Sequence, residues 1–497
     1  MYNIKKRFMK RNHLSLRRKA GMLSAMAVGV LLVSSCAQDG FDDESWRSDV
    51  TNTQLESPAA DDITIKASAD GSQTIISWPV VHGAGGYLCS VVDVTEDGNP
   101  AVVSNMQDSI VDRCQIVVDR TEDHNYTFSI KTVGNEELGN TDAATSTTVD
   151  FDSYLATYGS IPANADLYEW FQQNPLPSES TGEELCFDLE PGGTYTLSQP
   201  VDFYNQIVTF RAKDNSNHAK LSLAASACFK TARGFKLKNI DVDCAGVTEP
   251  LVKLTDQLDP SIMDLIGTKG AYFIEDPIGF TGCNITDLGT SLISNNKIYY
   301  VVYNLVVDDC VIKLNKTDNS DAIVNFNGAG FASYSFQNST IWESGTNTGY
   351  FFSQYGGRPK DITSDGTLKQ SMVFRNCTLY GVSYNKKFSN QRDKGQTWNE
   401  YIVTNSIIVD CGTNKFLNGL LEQASANPHT EYANNTYFYD GVDVSAANTG
   451  SDGYDNSGSM ITENPGFADP TNGDFTVSGS AQISLGTGDP RWLPTNE

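Results

Sequence analysis

The chain is poor in histidine and lacks the spacings that usually mark metal or thiol centres. Five of its 497 residues are His, and no Cys-x-x-Cys, His-Glu-x-x-His or EF-hand pattern occurs. Zinc and catalytic-thiol chemistry are therefore not expected. Nine cysteines remain after Cys36, and an odd number at irregular spacing in so long a chain does not form a disulfide framework. The sequence leaves open whether Cys89 and Cys114 form a disulfide.

Basic residues are also scarce, since 35 Lys and Arg stand against 61 Asp and Glu and the formal net charge is −26. The first 35 residues carry eight positive charges and no negative one, so the chain without them has a net charge of −34. This charge excludes nucleic acid as a partner, because phosphate is repelled. An anionic polymer would need a local basic patch or bound cations. We predict no metal site or cofactor, with Ca²⁺ left open for a uronate substrate.

The N-terminal apolar run, Gly21–Val33, is too short to span a bilayer comfortably. It follows the eight basic residues and ends just before Cys36, which predicts a signal peptide over residues 1–35. Cys36 resembles the acylated Cys of the bacterial lipobox, and ordinary secretion with an incidental Cys is the alternative. The acidic cluster Asp39–Glu44 resembles the surface-export signal of Bacteroidota lipoproteins. We therefore predict a lipid anchor in the outer membrane and display on the cell surface.

Residues 36–60 are polar and predict a flexible tether, whereas residues 61–150 have the pattern of a separate unit. Apolar and polar residues alternate towards Trp78 and along Asn125–Val133, with turn residues between, which predicts a small β-sandwich. These strands resemble a fibronectin type III module, which implies a spacer or an interaction platform beside another domain. We expect Trp78 to fill the core of this unit rather than bind a ligand.

Five short stretches in the C-terminal half repeat one pattern of a turn residue, a small residue, an outward residue, an aliphatic residue and a bulky residue. Their starts are Asp309, Asn338, Asn376, Asn405 and Asn434, with weaker copies at Asn239 and Gly282. The five starts lie 29, 38, 29 and 29 residues apart, a period typical of stacked units that cannot bury an apolar face alone. Asn and Asp tolerate the left-handed backbone of a tight corner. The repeat predicts a right-handed parallel β-helix.

The alternation within each repeat assigns its residues to two faces. Counting the turn residue as zero, positions +1 and +3 point inward and positions +2 and +4 point outward. The +1 residues are Ile240, Cys283, Cys310, Ser339, Cys377, Ser406 and Asn435. The +3 residues are Val242, Ile285, Ile312, Ile341, Leu379, Ile408 and Tyr437. The inward cysteines are therefore expected to line the core and not to act as ligands or nucleophiles.

The two ends of the predicted solenoid carry covering segments. An amphipathic stretch around Ala163–Phe171 predicts a short helix over the first rung, and the last segment, from Asn464 to Trp492, predicts a cap over the final rung. The domain thus covers residues 151–497, and we expect a monomer. The lipobox, the fibronectin-like unit, the rungs and the C-terminal Gly-Asp-Pro-Arg-Trp together resemble an uncharacterised Bacteroidota lipoprotein family with pectin-lyase-like β-helices. The resemblance implies association with polysaccharide-utilisation systems, and it implies no catalytic mechanism.

The +4 positions of consecutive rungs suggest a glycan site. Lys313, Trp342 and Tyr380 would stand about 4.8 Å apart from rung to rung. Aromatic faces suit a pyranose ring, and the Lys suits a uronate carboxylate. Alternatively, an excursion such as 383–400 covers the two aromatic residues as a satellite core. If all three residues prove irrelevant, we expect the site on the excursions 346–370 or 383–400.

Catalytic residues remain unassigned from the sequence. A β-eliminating lyase needs a Lys or Arg base and something that neutralises the uronate. The candidate bases are Lys313, Arg358, Lys360, Lys386, Lys387 and Arg392, and the candidate carboxylates are Asp308, Asp309, Glu343 and Asp410. We favour a surface lipoprotein that binds a pectin-type or other uronate-containing polysaccharide as part of a polysaccharide-utilisation system. A polysaccharide lyase and a structural adhesin or spacer are the alternatives.

Overall fold

The structure is a computed structural model that divides into two compact units between Leu155 and Ala156. It describes residues 50–67, 73–95, 100–103, 109–121, 123–257, 265–266, 270–296, 298–317, 321–326, 330–345, 349–354, 370–384, 386–391, 397, 399–412, 416, 428–444 and 455–494. Within these ranges there is no helix of the length and apolar character needed to cross a bilayer. Cys36 and the predicted signal peptide lie outside them.

The first unit is an antiparallel β-sandwich. One sheet contains Thr64–Ala67, Gln73–Ser77 and Gln115–Asp119, and the other contains Ala84–Asp93, Ala101–Val102, Ser109–Val111, Asn125–Gly134 and Thr147–Asp152. Trp78 is buried between the sheets, with its ring 5.8 Å from Phe128 and 5.4 Å from Tyr87. The prediction that Trp78 fills the core is confirmed. Cys89 and Cys114 are both free thiols. The resemblance to fibronectin type III stays a prediction.

The second unit is a parallel β-helix with three sheets, which we name A, B and C. Sheet A contains Thr157–Ile161, Glu184–Leu189, Ile207–Ala212, Phe235–Lys238, Leu265–Ile266, Ala271–Ile274, Ile278–Thr281, Tyr300–Asp308, Gly330–Gln337, Gln370–Arg375, Asn399–Thr404 and His429–Ala433. Sheet B contains Thr194–Leu197, Ala219–Leu223, Ile240–Asp243, Asn284–Leu288, Val311–Leu314, Thr340–Glu343, Thr378–Tyr380, Ile407–Val409 and Thr436–Phe438. Sheet C contains Val201–Asp202, Phe229–Thr231, Val252–Leu254, Ile293–Ser294, Val324–Asn325, Phe352–Gln354 and Ser389–Gln391.

Each coil runs from sheet A through a tight corner to sheet B and then to sheet C. Successive coils pair in parallel, as in the register Ile312 with Ile341 and Ile341 with Leu379. All seven predicted corner residues have a positive φ, between 46° at Asn338 and 61° at Gly282. The Asn side chains also bond from rung to rung, and Asn376 Nδ2 donates to Asn338 Oδ1 at 3.0 Å. The predicted parallel β-helix is therefore confirmed.

The interior is filled by the residues that the alternation assigned to it. Every +1 and +3 residue of the seven repeats is at most 6 % exposed, and the cysteines Cys283, Cys310 and Cys377 are fully buried. Burial raises the pKa of the Cys377 thiol far above its ordinary range, so the thiol stays protonated. These cysteines serve as small core residues.

Both ends of the solenoid are closed. At the first rung, the helix Leu167–Gln173 places Leu167 and Phe171 on the core, and Asp166 caps it by accepting from Glu169 N at 3.0 Å. At the last rung, Ile461 N donates to Asn435 O at 2.8 Å. The chain continues after Ile461. It contains the short helix Ser480–Leu485 and two 3-10 turns, Pro470–Asn472 and Pro490–Trp492, and contacts the outer side of sheet B.

Candidate functional site

The outer face of sheet B changes character along the solenoid. On the early coils its outward residues are polar and exposed, as at Ser222, Asp243 and Thr286. On the late coils they are apolar, and Val409 is buried. An outward apolar residue that is buried must have a partner outside the coil. The chain therefore has to supply a cover for the late half of sheet B.

The cover is the C-terminal segment, residues 464–493. The ring of Phe475 lies 5.9 Å from that of Trp342 and 5.6 Å from that of Tyr380. Trp342 is only 6 % exposed, and a Cβ added at Gly473 would lie 3.1 Å from its ring. The expectation of an open aromatic platform at Trp342 is therefore wrong. The alternative of a satellite core is the better description, although residues 464–493 form the cover where the excursion 383–400 was suggested.

A polar clamp fastens this segment to sheet B. The Thr340 hydroxyl donates to Asp489 Oδ2 at 2.7 Å and accepts from Trp492 Nε1 at 2.7 Å. Asp489 also pairs with Arg491 at 3.2 Å, and Arg491 reaches the corner residue Asp309. Burial raises the pKa of Asp489 from its ordinary 3.8 to about 6, although Arg491 and Thr340 oppose the shift. The clamp joins residues about 150 positions apart in sequence, as Thr340 and Asp489 are.

Lys313 lies beside this covered surface but is already engaged. Its ammonium forms an ion pair with Asp287 at 2.9 Å and stands 5.6 Å from the centre of the Trp342 ring. The structure thus brings together Lys313, Trp342 and Tyr380 on neighbouring strands, as predicted. In this arrangement Trp342 and Tyr380 pack against the C-terminal segment, and Lys313 pairs with Asp287. A role of the three residues in glycan binding remains untested.

The candidate carboxylates of a lyase have structural partners. Asp308 accepts from Asn338 Nδ2 at 2.9 Å, and Asp309 pairs with Arg491 at a corner. Glu343 accepts from the backbone N–H of Gly345 at 2.7 Å and of Lys316 at 3.1 Å. Asp410 occupies a left-handed position and accepts from Asp440 N at 3.3 Å. Each of these carboxylates therefore stabilises the local backbone or a contact between residues that are distant in the sequence.

Three of the six candidate bases, Lys313, Lys386 and Lys387, lie within the described residues. Lys386 holds its ammonium 4.7 Å from the ring centre of Tyr350, and Lys387 is exposed. Arg358, Lys360 and Arg392 lie outside the described residues. No group of three or more His, Cys, Asp or Glu side chains that suits a metal ion occurs in the part of the chain that the structure describes.

The outer face of sheet A satisfies many of its own charges. Arg211 pairs with Asp188 at 2.8 Å, and Lys236 pairs with Glu184 at 2.8 Å. Further along, Ser371 donates to Glu400 at 2.7 Å. Side chains that bond to each other between strands of one sheet stabilise the sheet but offer fewer free groups to a ligand.

The outer face of sheet C carries an unbroken column of polar side chains. Its members are Asp202, Lys230, Lys253, Ser294, Asn325, Ser353 and Asn390. The strand registers join them in this order, one per coil. Each lies between two buried neighbours, so the alternation points it outward, and each is partly or fully exposed. Seven strands at about 4.8 Å give a polar row about 29 Å long.

Several groups of this column are available for a ligand. Within the described ranges, the side chains of Lys230, Ser353 and Asn390 make no hydrogen bond or ion pair. Lys253 is paired with Glu249 at 2.9 Å, and Asn325 donates to Asp321 at 2.9 Å. Ammonium, amide and hydroxyl groups at regular spacing can bond to the hydroxyls of an extended sugar chain. This column could not be predicted from the sequence, because its strands are only two or three residues long.

Comparisons with known proteins describe the same chain in segments. Three family models match residues 9–192, 193–344 and 372–492, and each is described as a domain of unknown function, the second and third as DUF4957 and DUF5123. No curated protein matched the chain. A pectate lyase, PelI from Erwinia chrysanthemi in complex with tetragalacturonic acid, is similar at 11% identity over 65% of this chain and 89% of that one, with a TM-score of 0.14.

Proposed function

We propose that this chain binds an extended polysaccharide along the outer face of sheet C, as a lipoprotein of the outer cell surface that serves a polysaccharide-utilisation system. The observation that carries the proposal is the polar column from Asp202 to Asn390. It is straight, regular and about 29 Å long. A linear polymer of sugar rings presents hydroxyl groups at a comparable repeat. One ligand can therefore bond to many coils at once.

The other two outer faces are less suited to this role. The late half of sheet B is covered by residues 464–493. Sheet A pairs several of its outward charges with each other, as Arg211 does with Asp188. Sheet C retains groups whose hydrogen-bonding capacity is unused, and a solvent-facing donor can exchange water for a sugar hydroxyl at little cost.

Within the column, Lys230 favours a uronate-containing polymer. Its ammonium is not engaged in an ion pair within the described residues, and a carboxylate of the ligand would supply one. The net charge of −34 that remains without the first 35 residues opposes binding of a polyanion, so this contact gains importance for a pectin-type glycan. Divalent cations such as Ca²⁺ would reduce the repulsion further.

A lyase that cleaves a uronate-containing glycan is the second candidate. Lys230 lies between Asp202 on one strand and Lys253 on the next, and a Lys beside a carboxylate and a second cation is compatible with proton abstraction next to a uronate. The same variants test both functions. A lyase produces unsaturated uronate products that absorb ultraviolet light, and a binding protein does not.

The test is affinity gel electrophoresis and calorimetry with the purified full-length chain. Polygalacturonate, arabinan and β-1,4-galactan serve as ligands, and product absorbance is followed in parallel. The triple variant Lys230→Ala, Ser353→Ala, Asn390→Ala should bind about 100-fold more weakly, since each lost bond contributes about 1 kcal/mol. The matched control Lys220→Ala, Ser222→Ala removes exposed polar groups from sheet B and should leave affinity unchanged. Wild-type affinity in the triple variant, or no polymer bound by the native chain, would refute the proposal.

A further inference from the structure

Two tyrosines form a stacked pair on the turns that lead out of sheet B towards sheet C. The rings of Tyr384 and Tyr439 lie 5.3 Å apart with an interplanar angle of 9°. Tyr384 follows the strand Thr378–Tyr380, and Tyr439 directly follows Thr436–Phe438. Tyr384 is 41 % exposed, which makes it one of the large side chains that the described chain leaves open to solvent.

The stack has an inner and an outer layer. Tyr439 packs against the main core of the β-helix, and Tyr384 covers it from outside. Burial and a hydrogen bond to Tyr384 raise the pKa of Tyr439 well above its ordinary value. One face of the Tyr384 ring is used by Tyr439, so its exposure comes from the opposite face and the ring edge. The structure therefore presents a rigid aromatic face to solvent.

The backbone that carries Tyr384 is fixed in an uncommon conformation. Ser383, which precedes it, has a φ of 56° and is 2 % exposed. Its hydroxyl donates to Gly349 O at 2.9 Å, and its carbonyl accepts from Lys386 N at 2.9 Å. A buried non-glycine residue in the left-handed region is held there by its surroundings, and such positions are frequent at binding sites. The turn that presents Tyr384 is thus held by the hydrogen bonds of Ser383.

We propose that Tyr384 is a stacking platform for a neutral sugar residue of the polysaccharide, a proposal that rests on the function proposed above. Tyr384 lies six residues before Asn390, the last member of the polar column on sheet C. Asp410 and Asp440 lie near the pair, and the charge of Asp410 contributes to the raised pKa of Tyr439. Carboxylates beside an aromatic face accept hydrogen bonds from sugar hydroxyls and repel a uronate. The neutral face of a hexose matches this surface.

The Lys386 ammonium, two residues after Tyr384 in the sequence, does not change the assignment of a neutral ligand. Lys386 places its ammonium over the ring of Tyr350 at 4.7 Å, so it is held by a cation–π contact. The stacked pair itself neighbours the carboxylate of Asp410.

The experiment compares variants of the full-length chain on β-1,4-galactan, arabinan and polygalacturonate. Tyr384→Ala should weaken binding of a neutral polymer about tenfold, because truncation of an aromatic anchor costs more than 1 kcal/mol. Tyr384→Phe and Tyr384→Trp keep the ring and should bind like the native chain or more tightly. Tyr303→Ala is the matched control, since Tyr303 is 45 % exposed on sheet A. Thermal unfolding of each variant shows whether it is folded.

The outcomes separate this inference from the proposed function. If the native chain binds a neutral polymer and Tyr384→Ala binds it equally well, Tyr384 is not a subsite and the polar column stands alone. If Tyr384→Ala weakens polygalacturonate more than the neutral polymers, or if the native chain binds only polygalacturonate, the neutral ligand is wrong. If Tyr384→Ala is unfolded, Tyr384→Trp and Tyr384→Leu replace it in the test. Unchanged affinity of Tyr384→Trp together with weaker binding by Tyr384→Leu would support stacking. Equal affinity of these two variants would contradict it. If the native chain binds none of the polymers, the proposed function and this inference are both overturned.

Discussion

Replacing Trp342 by Ala tests whether the late half of sheet B is a packed core or a ligand surface. Trp342 is 6 % exposed, and its ring contacts Phe475 and approaches Gly473 from the C-terminal segment. Removing a buried Trp side chain typically costs about 3–5 kcal/mol, through lost burial and the cavity that remains. We expect a loss of this size in the free energy of unfolding, and release of residues 464–493 from the sheet before global unfolding.

The assay is urea denaturation followed by circular dichroism, combined with limited proteolysis of the C-terminal segment. Thr286→Ala is the matched control, because Thr286 is an exposed outward residue at the +4 position of an earlier repeat and should change stability by less than about 0.5 kcal/mol. A loss below about 1 kcal/mol in Trp342→Ala would contradict the packing that the structure shows. Loss of polysaccharide binding at unchanged stability would restore Trp342 as a ligand contact.

Three further predictions concern the clamp, the corners and the anchor. Burial raises the pKa of Asp489 to about 6, so between about pH 4 and pH 6 the folded chain keeps a proton that the unfolded chain releases. The free energy of unfolding should therefore fall by at most about 3 kcal/mol as the pH rises from about 4 to about 6. Asp489→Asn should flatten this pH dependence in thermal melts. Asn376→Val should lower the free energy of unfolding by about 2–3 kcal/mol, because Asn376 has a φ of 51° and its side chain bonds to Asn338. Asn376→Gly tolerates this φ and should lose only the hydrogen bond. Urea titration of both variants separates the backbone contribution from the hydrogen-bond contribution. Cys36→Ser should remove the protein from the membrane fraction, and protease treatment of intact cells should degrade the native form. Retention of the variant in membranes would contradict the lipid anchor.

The solenoid could be predicted from the sequence because its signals are local. A residue that must adopt a left-handed corner, such as Asn338, is recognisable by type, and the inward residues that follow it obey a period of two. These features depend on backbone geometry within five residues. The same short pattern repeats on every coil, so each copy supports the others. Side-chain burial at Cys310, Cys377 and Ile408 follows from position in the repeat alone.

The cover on sheet B could not be located in the same way. It depends on contacts such as Trp492 to Thr340, which are separated by 152 residues. The sequence nevertheless contained an indirect signal. The outward +4 column changes from polar at Thr286 to apolar at Val409 and Phe438, and an apolar outward row on successive coils needs a partner. The C-terminal segment contributes Phe467 and Phe475, the aromatic residues that meet this need.

The distribution of charge along sheet C gives a direction to the proposed ligand. Lys230 lies near one end of the polar column, between Asp202 and Lys253, whereas Tyr384 lies on the coil of Asn390 at the other end. Lys313, which the sequence suggested as the uronate contact, is neutralised by Asp287. A uniform polyanion would therefore gain the ammonium of Lys230, which is unpaired within the described residues and lies beside the carboxylate of Asp202, and would meet Asp410 and Asp440 at the far end. A polymer with a uronate segment followed by neutral residues would satisfy both ends at once, which argues for a heteropolysaccharide aligned with its acidic part at Lys230.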